Sequence, residues 1–214
     1  MNKLEDILVI GCGGHCRFVI SITRDNKYAI KGLIDTNEKY DKSETILGFN
    51  VLGNLGSLDS LYKKGIKNAV IAVGNNKLRN QIYRKLIDIG FNLPNITHSS
   101  AYIDASASLG NANVIGPNVV IGSEVKIGNN NIINTSAVIE HQSVVGNSNH
   151  VSLSSVLCGK VNIGNSILVG ANSTIIENIS ICNDVTIGAG TTVISSIEQK
   201  GSLIVGNKSR LIKK

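Results

Sequence analysis

His141 is the side chain in this sequence best suited to carry a proton during a reaction. An imidazole with an ordinary pKa of about 6.5 takes up and returns a proton near neutral pH, which is what a general base must do. It is flanked by a carboxylate, Glu140, and an amide, Gln142. An amide orients the ring without holding its charge, and a preceding carboxylate holds that charge only where the chain brings both side chains to one side. A second histidine, His150, follows nine residues on, and Gly159 stands eighteen residues after His141 in the run Leu157-Cys-Gly-Lys160. An exposed N–H at such a glycine suits a carbonyl oxygen that gains negative charge. A base and an oxyanion donor together point to acyl transfer.

A second group of residues suits a phosphate and a sugar. The turn Gly11-Cys-Gly13-Gly14-His15 opens a predicted helix, whose first N–H groups and dipole favour a phosphate or pyrophosphate. The dinucleotide fingerprint G-x-G-x-x-G stops short, because Cys16 takes the place of the third glycine. Asp35 and Thr36 follow a second apolar run, where an acidic side chain accepts hydrogen bonds from a ribose or an amine. Gly74 and Asn75 follow a third, in the segment Gly74-Asn-Asn-Lys-Leu-Arg79.

The elements that must position these groups differ between the two halves of the chain. In residues 1–95, apolar runs at 7–10, 29–34 and 69–73 alternate with helix-like stretches around 15–25, 57–64 and 77–90. That βαβαβα order predicts a small Rossmann-like parallel sheet, with the three loops gathered at the carboxyl ends of its strands. Pro94 interrupts the helical pattern near a boundary at 92–99. From 96 to 214 a six-residue period takes over. Every sixth residue from Ile103 to Val193 is aliphatic, and the next position is often Gly, as at 110, 116, 122, 128, 146, 164, 170 and 188. A period of six fits neither a helix nor an alternating strand; it fits a short strand and a turn repeated around a triangular prism, with three repeats to a coil. Asn134 and Glu140 occupy consecutive glycine slots, so the pattern breaks immediately before His141.

Composition limits the partners. The chain has 214 residues and a formal charge of +6, which suits anionic ligands, but the basic residues are dispersed apart from a terminal cluster of Lys208, Arg210, Lys213 and Lys214. Without a basic stripe interleaved with aromatics, nucleic acid is excluded as a partner. No apolar stretch reaches membrane-spanning length and the first residues lack a leader pattern, so the expected location is the cytoplasm. Cys12, Cys16, Cys158 and Cys182 form no CxxC pair and read as reduced thiols, with no metal.

Residues 100–214 resemble the hexapeptide-repeat acyltransferases, which implies a left-handed parallel β-helix, a homotrimer and acetyl-CoA bound between subunits. Residues 133–152, INTSAVIEHQSVVGNSNHVS, are similar to the active-site coil of the bacterial amino-sugar acetyltransferases through Asn134, Glu140, His141 and His150. That likeness makes His141 the base and puts Asn134 and His150 with the cofactor, His150 of one subunit facing His141 of the next. Gly159, Ala171 and Ala189 join the cofactor set, as do Lys208 and Arg210 for the phosphates of CoA, in a segment similar to the family's closing one. That family usually carries an acidic residue where this chain has Gln142. The N-terminal half resembles the same enzymes, whose Gly-Gly-His turn and following Asp hold a UDP- or dTDP-linked sugar. IAVGNNKLR with INTSAVIEH is most similar to enzymes that N-acetylate nucleotide-linked 4-amino-4,6-dideoxy sugars. Three alternatives stay open: a sialic acid O-acetyltransferase, a zinc hydratase on the same scaffold, and a nucleotide-sugar-binding protein without turnover.

Overall fold

A computed structural model describes residues 4–24, 26–41 and 43–206, so Lys208, Arg210, Lys213 and Lys214 lie outside the described residues. The first strand, β1 (Glu5–Ile10), is buried on both faces over its last four residues, as expected of a central parallel strand. It is followed by α1 (Gly14–Thr23), β2 (Tyr28–Asp35), β3 (Thr45–Ile46) and β4 (Phe49–Asn54), then α2 (Leu58–Lys63), β5 (Asn68–Ile71) and α3 (Asn76–Ile89). The sheet order is β3-β4-β2-β1-β5. The hairpin β3–β4 has no counterpart in the sequence reading. It turns on Leu47 and Gly48, both at positive φ (51° and 86°), and so places β4 parallel to β2. Helix α3 ends at Gly90, at the close of the helix-like stretch 77–90: Gly90 is left-handed, and the N–H of Phe91 closes on the carbonyl of Leu86 at 3.0 Å.

The remaining strands, β6 (Ile96–Thr97) to β23 (Leu203–Ile204), are two residues each and stack in three parallel sheets, forming the left-handed β-helix. The aliphatic residue of each repeat is the second of its strand and points into a column running from Ile115 to Val193. The chain turns each corner through a residue with φ near +60°. These residues stand at every sixth position from Ala112 to Asp184, and Asn and Ser recur among them because their short polar side chains tolerate that region best. The glycine column has a different cause. A Cβ on Gly128 would stand 2.7 Å from the carbonyl oxygen of Gly146, so glycine there allows successive coils to pack at the parallel-strand spacing.

Buried asparagines reinforce the stack. Asn95, Asn113, Asn131 and Asn149 lie one coil apart, each accepting through Oδ1 from the backbone N–H one coil further on, at 2.7 to 2.9 Å. The two halves share a core. Cys16, Val19 and Ile20 of α1 pack with Ile96 and Val114 of the first coil.

Candidate active site

The prism has three corners, and they carry different groups. The first comprises 140–143 and, one coil later, 158–161. His141 is exposed there, and its ring lies over Gly159, where a Cβ would be 2.6 Å from both Cε1 and Nε2. The glycine lies beneath the imidazole and is a buried residue. The backbone N–H of His141 faces Glu140 Oε2 at 3.4 Å, so the carboxylate stays close to the histidine even though the two side chains leave the strand in different directions. Gln142 does not orient the ring. It is the left-handed corner residue, φ +60°, and its amide donates to Glu124 Oε2 one coil below at 3.1 Å.

The second corner, 134–137 and its repeats, carries Asn134, Ala171 and Ala189, with Ala189 exposed. Between this corner and the third, His150 lies on the face formed by Ile132, His150, Leu168 and Thr186 in register. His150 is partly buried, and the N-terminal half of the same chain packs beside it. The rings of His15 and His150 are 6.0 Å apart, and the Phe18 ring is 5.2 Å from that of His15, tilted by 31°. Asn134 Nδ2 meets His150 Nε2 at 3.2 Å, and Asn134 Oδ1 accepts from the N–H of Thr135 at 2.8 Å. With its oxygen so engaged, Asn134 presents an N–H to His150. His150 Nε2 is then the acceptor and Nδ1 carries the proton. His15 Nε2 is buried with no partner among the described residues.

Burial lowers the pKa of both rings to about 4, helped at His15 by His150 and Arg79 and at His150 by Arg79. Both are therefore neutral at physiological pH. Because the unfolded chain takes up these protons at about 6.5, their burial stabilises the fold fully above that pH and ceases to do so as pH falls towards 4. The melting temperature should fall between pH 6.5 and 4, and His15→Gln should make that fall shallower. An equal fall in the variant would show that His15 is not held neutral by the fold.

The sheet loops lie where predicted. Gly11 takes φ +119°, and a Cβ there would strike the carbonyl oxygen of Ala72 at 2.8 Å, so only glycine lets the first loop pass β5. Gly13 and Gly14 are exposed, with open space around each Cβ direction, leaving the start of α1 accessible to an anion. Asp35 is buried, its Oδ1 accepting from the N–H of Asn37 at 3.0 Å. Burial, then the charge of Asp35, pushes the Cys12 thiol up to about 12, so it is not a nucleophile. Thr36 lines a cavity of about 480 Å³ with Asn54 and Lys85. Gly74 and Asn75 line a cleft of about 550 Å³ whose opposite wall is Leu168 and Thr186 of the β-helix.

Arg79 was not assigned a role from the sequence. It is 1% exposed and reaches from the first turn of α3 to the third corner, donating to the carbonyls of Asn130, Ser148 and Asn149. Its place at the start of a helix-like stretch gave no sign of this; the buried contacts follow from the docking of the two halves. Among the described residues no three His, Cys, Asp or Glu side chains gather as metal ligands. Nor is any helix there long and apolar enough to cross a membrane.

Residues 6–86 match the PglD N-terminal domain family. The chain is similar to PerB from Caulobacter crescentus, whose structure contains CoA and GDP-perosamine: 30% identity, 95% of each chain covered, TM-score 0.89. A histidine-to-alanine mutant of GDP-perosamine N-acetyltransferase from the same organism, with the same ligands, matches over 95% of this chain and 94% of that one, also at 30% identity and TM-score 0.89. The acetyltransferase domain of PglB from Neisseria gonorrhoeae, with acetyl-coenzyme A bound, is 26% identical over 97% of this chain and 99% of that one, with a TM-score of 0.85. A loop-bearing α/β sheet docked on a left-handed β-helix with an exposed corner histidine thus defines an acetyltransferase that uses acetyl-CoA as co-substrate. Within that class, the chain belongs to the sugar N-acetyltransferases that carry a PglD-type N-terminal domain.

Proposed function

We propose that this enzyme transfers the acetyl group of acetyl-CoA directly to the 4-amino group of a nucleotide-linked 4-amino-4,6-dideoxy sugar in the cytoplasm, with His141 as general base. The amine attacks the thioester carbonyl, His141 takes the proton lost by the nitrogen, and CoA leaves as the thiol. The observation that carries this reading is the exposed imidazole of His141, seated on Gly159 and beside Glu140. The nucleotide lies along Gly11, Gly13, Gly14, Asp35 and Thr36, and the sugar reaches towards His15, whose orphaned Nε2 fits a sugar hydroxyl or phosphate oxygen. Gly74 and Asn75, which line a separate cleft against Leu168 and Thr186, belong to the third of the sheet loops and complete the substrate-binding set. The nucleotide is UDP or dTDP on the resemblance of the N-terminal half; the GDP-perosamine bound by the Caulobacter protein adds GDP to those worth testing.

The working unit in this proposal is a homotrimer. His141 and Gly159 occupy one corner of the prism, whereas Asn134, Ala171 and Ala189 occupy another and the nucleotide loops cover the His150 face. Packing copies side by side sets the His141 corner of one against the sugar-holding face of the next, with acetyl-CoA in the groove. Holding amine and thioester together supplies most of the acceleration, and the base adds roughly 10²- to 10⁴-fold.

Thiol release from acetyl-CoA should be measured against UDP-, dTDP- and GDP-linked 4-amino sugars and free sialic acid. Turnover is expected on one or more amino sugars. Turnover on sialic acid alone would replace the proposal with O-acetylation, and binding of a nucleotide sugar without turnover would overturn the assigned acceptor.

A further inference from the structure

Beyond Asp35 the sheet opens into the cavity of about 480 Å³. Its walls are the loop after β2, through Thr36, Asn37 and Glu38, the loop after β4, through Asn54 and Leu55, and Lys85 of α3. Its place follows from the order of the strands. Strands β1, β2 and β4 are neighbours in that sequence, so the loops at their carboxyl ends succeed one another at about 4.8 Å per strand. Gly13 and Gly14 follow β1, and Asp35 ends β2 opposite Asn54 of β4. A phosphate at the start of α1 and a ribose on Asp35 therefore direct the base one strand further, into this cavity.

The polar groups of the wall are unequally engaged. Asn54 is committed to the backbone: its Oδ1 accepts from the N–H of Gly56 at 2.9 Å, and its Nδ2 donates to the carbonyl of Glu38 at 3.1 Å. The second of these bonds ties the loop after β2 to the loop after β4. The Glu38 carboxylate and the Lys85 ammonium, in contrast, are exposed and make no hydrogen bond or ion pair among the described residues. Leu55 adds an apolar surface for the face of a ring. A carboxylate only accepts, and its two oxygens suit two adjacent donors. Guanine has such a pair on one edge, the ring N1–H and the 2-amino group, with the O6 acceptor beside them for an ammonium. Uracil and thymine have one N–H between two carbonyls, so a carboxylate would face an oxygen, and adenine sets a bare ring nitrogen beside its amino group. We infer that this cavity is a guanine site, with Glu38 accepting from N1–H and the 2-amino group and Lys85 donating to O6, so that the sugar is carried on GDP. The choice of base stands on the cavity; that the bound nucleotide carries the sugar to be acetylated rests on the function proposed above.

The test is titration calorimetry of the full-length protein with GDP, UDP, dTDP and inosine diphosphate, in the absence of acetyl-CoA and of any sugar. Inosine diphosphate differs from GDP only in lacking the 2-amino group. GDP should bind about tenfold or more tightly than each of the others, the margin that a hydrogen bond to a charged group supplies. Glu38 is exposed, so Glu38→Gln should fold as the wild type does, and in it the advantage of GDP over inosine diphosphate should shrink to about twofold or less. An advantage that persists in Glu38→Gln overturns the role given to Glu38. UDP or dTDP bound as tightly as GDP, or no nucleotide bound, overturns the guanine site. GDP bound with the expected preference, but no acetyl transfer to a GDP-linked 4-amino sugar, upholds the site and counts instead against the function proposed above.

Discussion

Replacing His141 by alanine should lower turnover with acetyl-CoA and the accepted nucleotide sugar by about a hundredfold or more while leaving the melting temperature nearly unchanged. The two halves of that expectation have separate causes. The side chain is exposed at a corner, so removing it creates no cavity and unpairs no buried group. The base it provides has no substitute close by. His150 has already committed its Nε2 lone pair to Asn134, and both His150 and His15 are held neutral, with pKa values near 4 that make them poor proton acceptors at pH 7. Glu140 remains beside the vacated position and would sustain only residual transfer. Binding of the nucleotide sugar, measured by calorimetry, should be unaffected, since its pocket lies on another face. Turnover retained in the variant would remove His141 from the reaction and leave transfer to positioning alone.

The repeat was legible because a β-helix translates sequence period directly into structure: each aliphatic position from Ile103 to Val193 is the second residue of a strand. The N-terminal sheet was nearly as legible, since β1, β2 and β5 each carry an apolar run. The hairpin at Thr45–Asn54 was not, because its strands are short and half exposed and its turn, Leu47-Gly48, lacks the Asn-Gly or Asp-Gly signal. The six-residue pattern also hid which slot bends the chain. Glycine marks where coils touch, whereas the left-handed corner falls two residues later, on Asn118, Gln142 or Lys160. Gln142 was accordingly read as a partner of His141, when its backbone serves the corner and its amide serves Glu124.

Contacts between the halves were the least legible. His15 and His150 are 135 positions apart in a chain of 214, and no local pattern ties them together. They meet because α1 docks its apolar face on Ile96 and Val114 of the first coil, bringing its N-terminal turn over the His150 face. Arg79 follows the same logic: on a surface helix it would be an ordinary solvated cation, and only docking converts it into a buried one.

Gly159→Ala should leave the protein folded and reduce kcat by about ten- to a hundredfold. The added methyl would lie 2.6 Å from two atoms of the His141 ring, and that ring is the far end of a flexible side chain at an exposed corner. Rotation about χ1 relieves the clash for about 0.5–1.5 kcal/mol if the ring leaves its preferred rotamer, so the fold survives while the base is moved off its line to the amine. Gly146→Ala is the informative contrast. There the methyl would meet the backbone carbonyl of Gly164 in the next coil, which cannot swing aside without widening the strand spacing, and a loss of about 1–3 kcal/mol is expected. Equal losses of stability in the two variants would mean that Gly159, too, is there for coil spacing. Combining Gly159→Ala with His141→Ala separates ring displacement from any role of the Gly159 backbone. If the methyl acts only by moving the imidazole, it costs nothing further once the imidazole is gone, whereas an additional fall in kcat would assign the glycine a contact of its own with the reacting carbonyl.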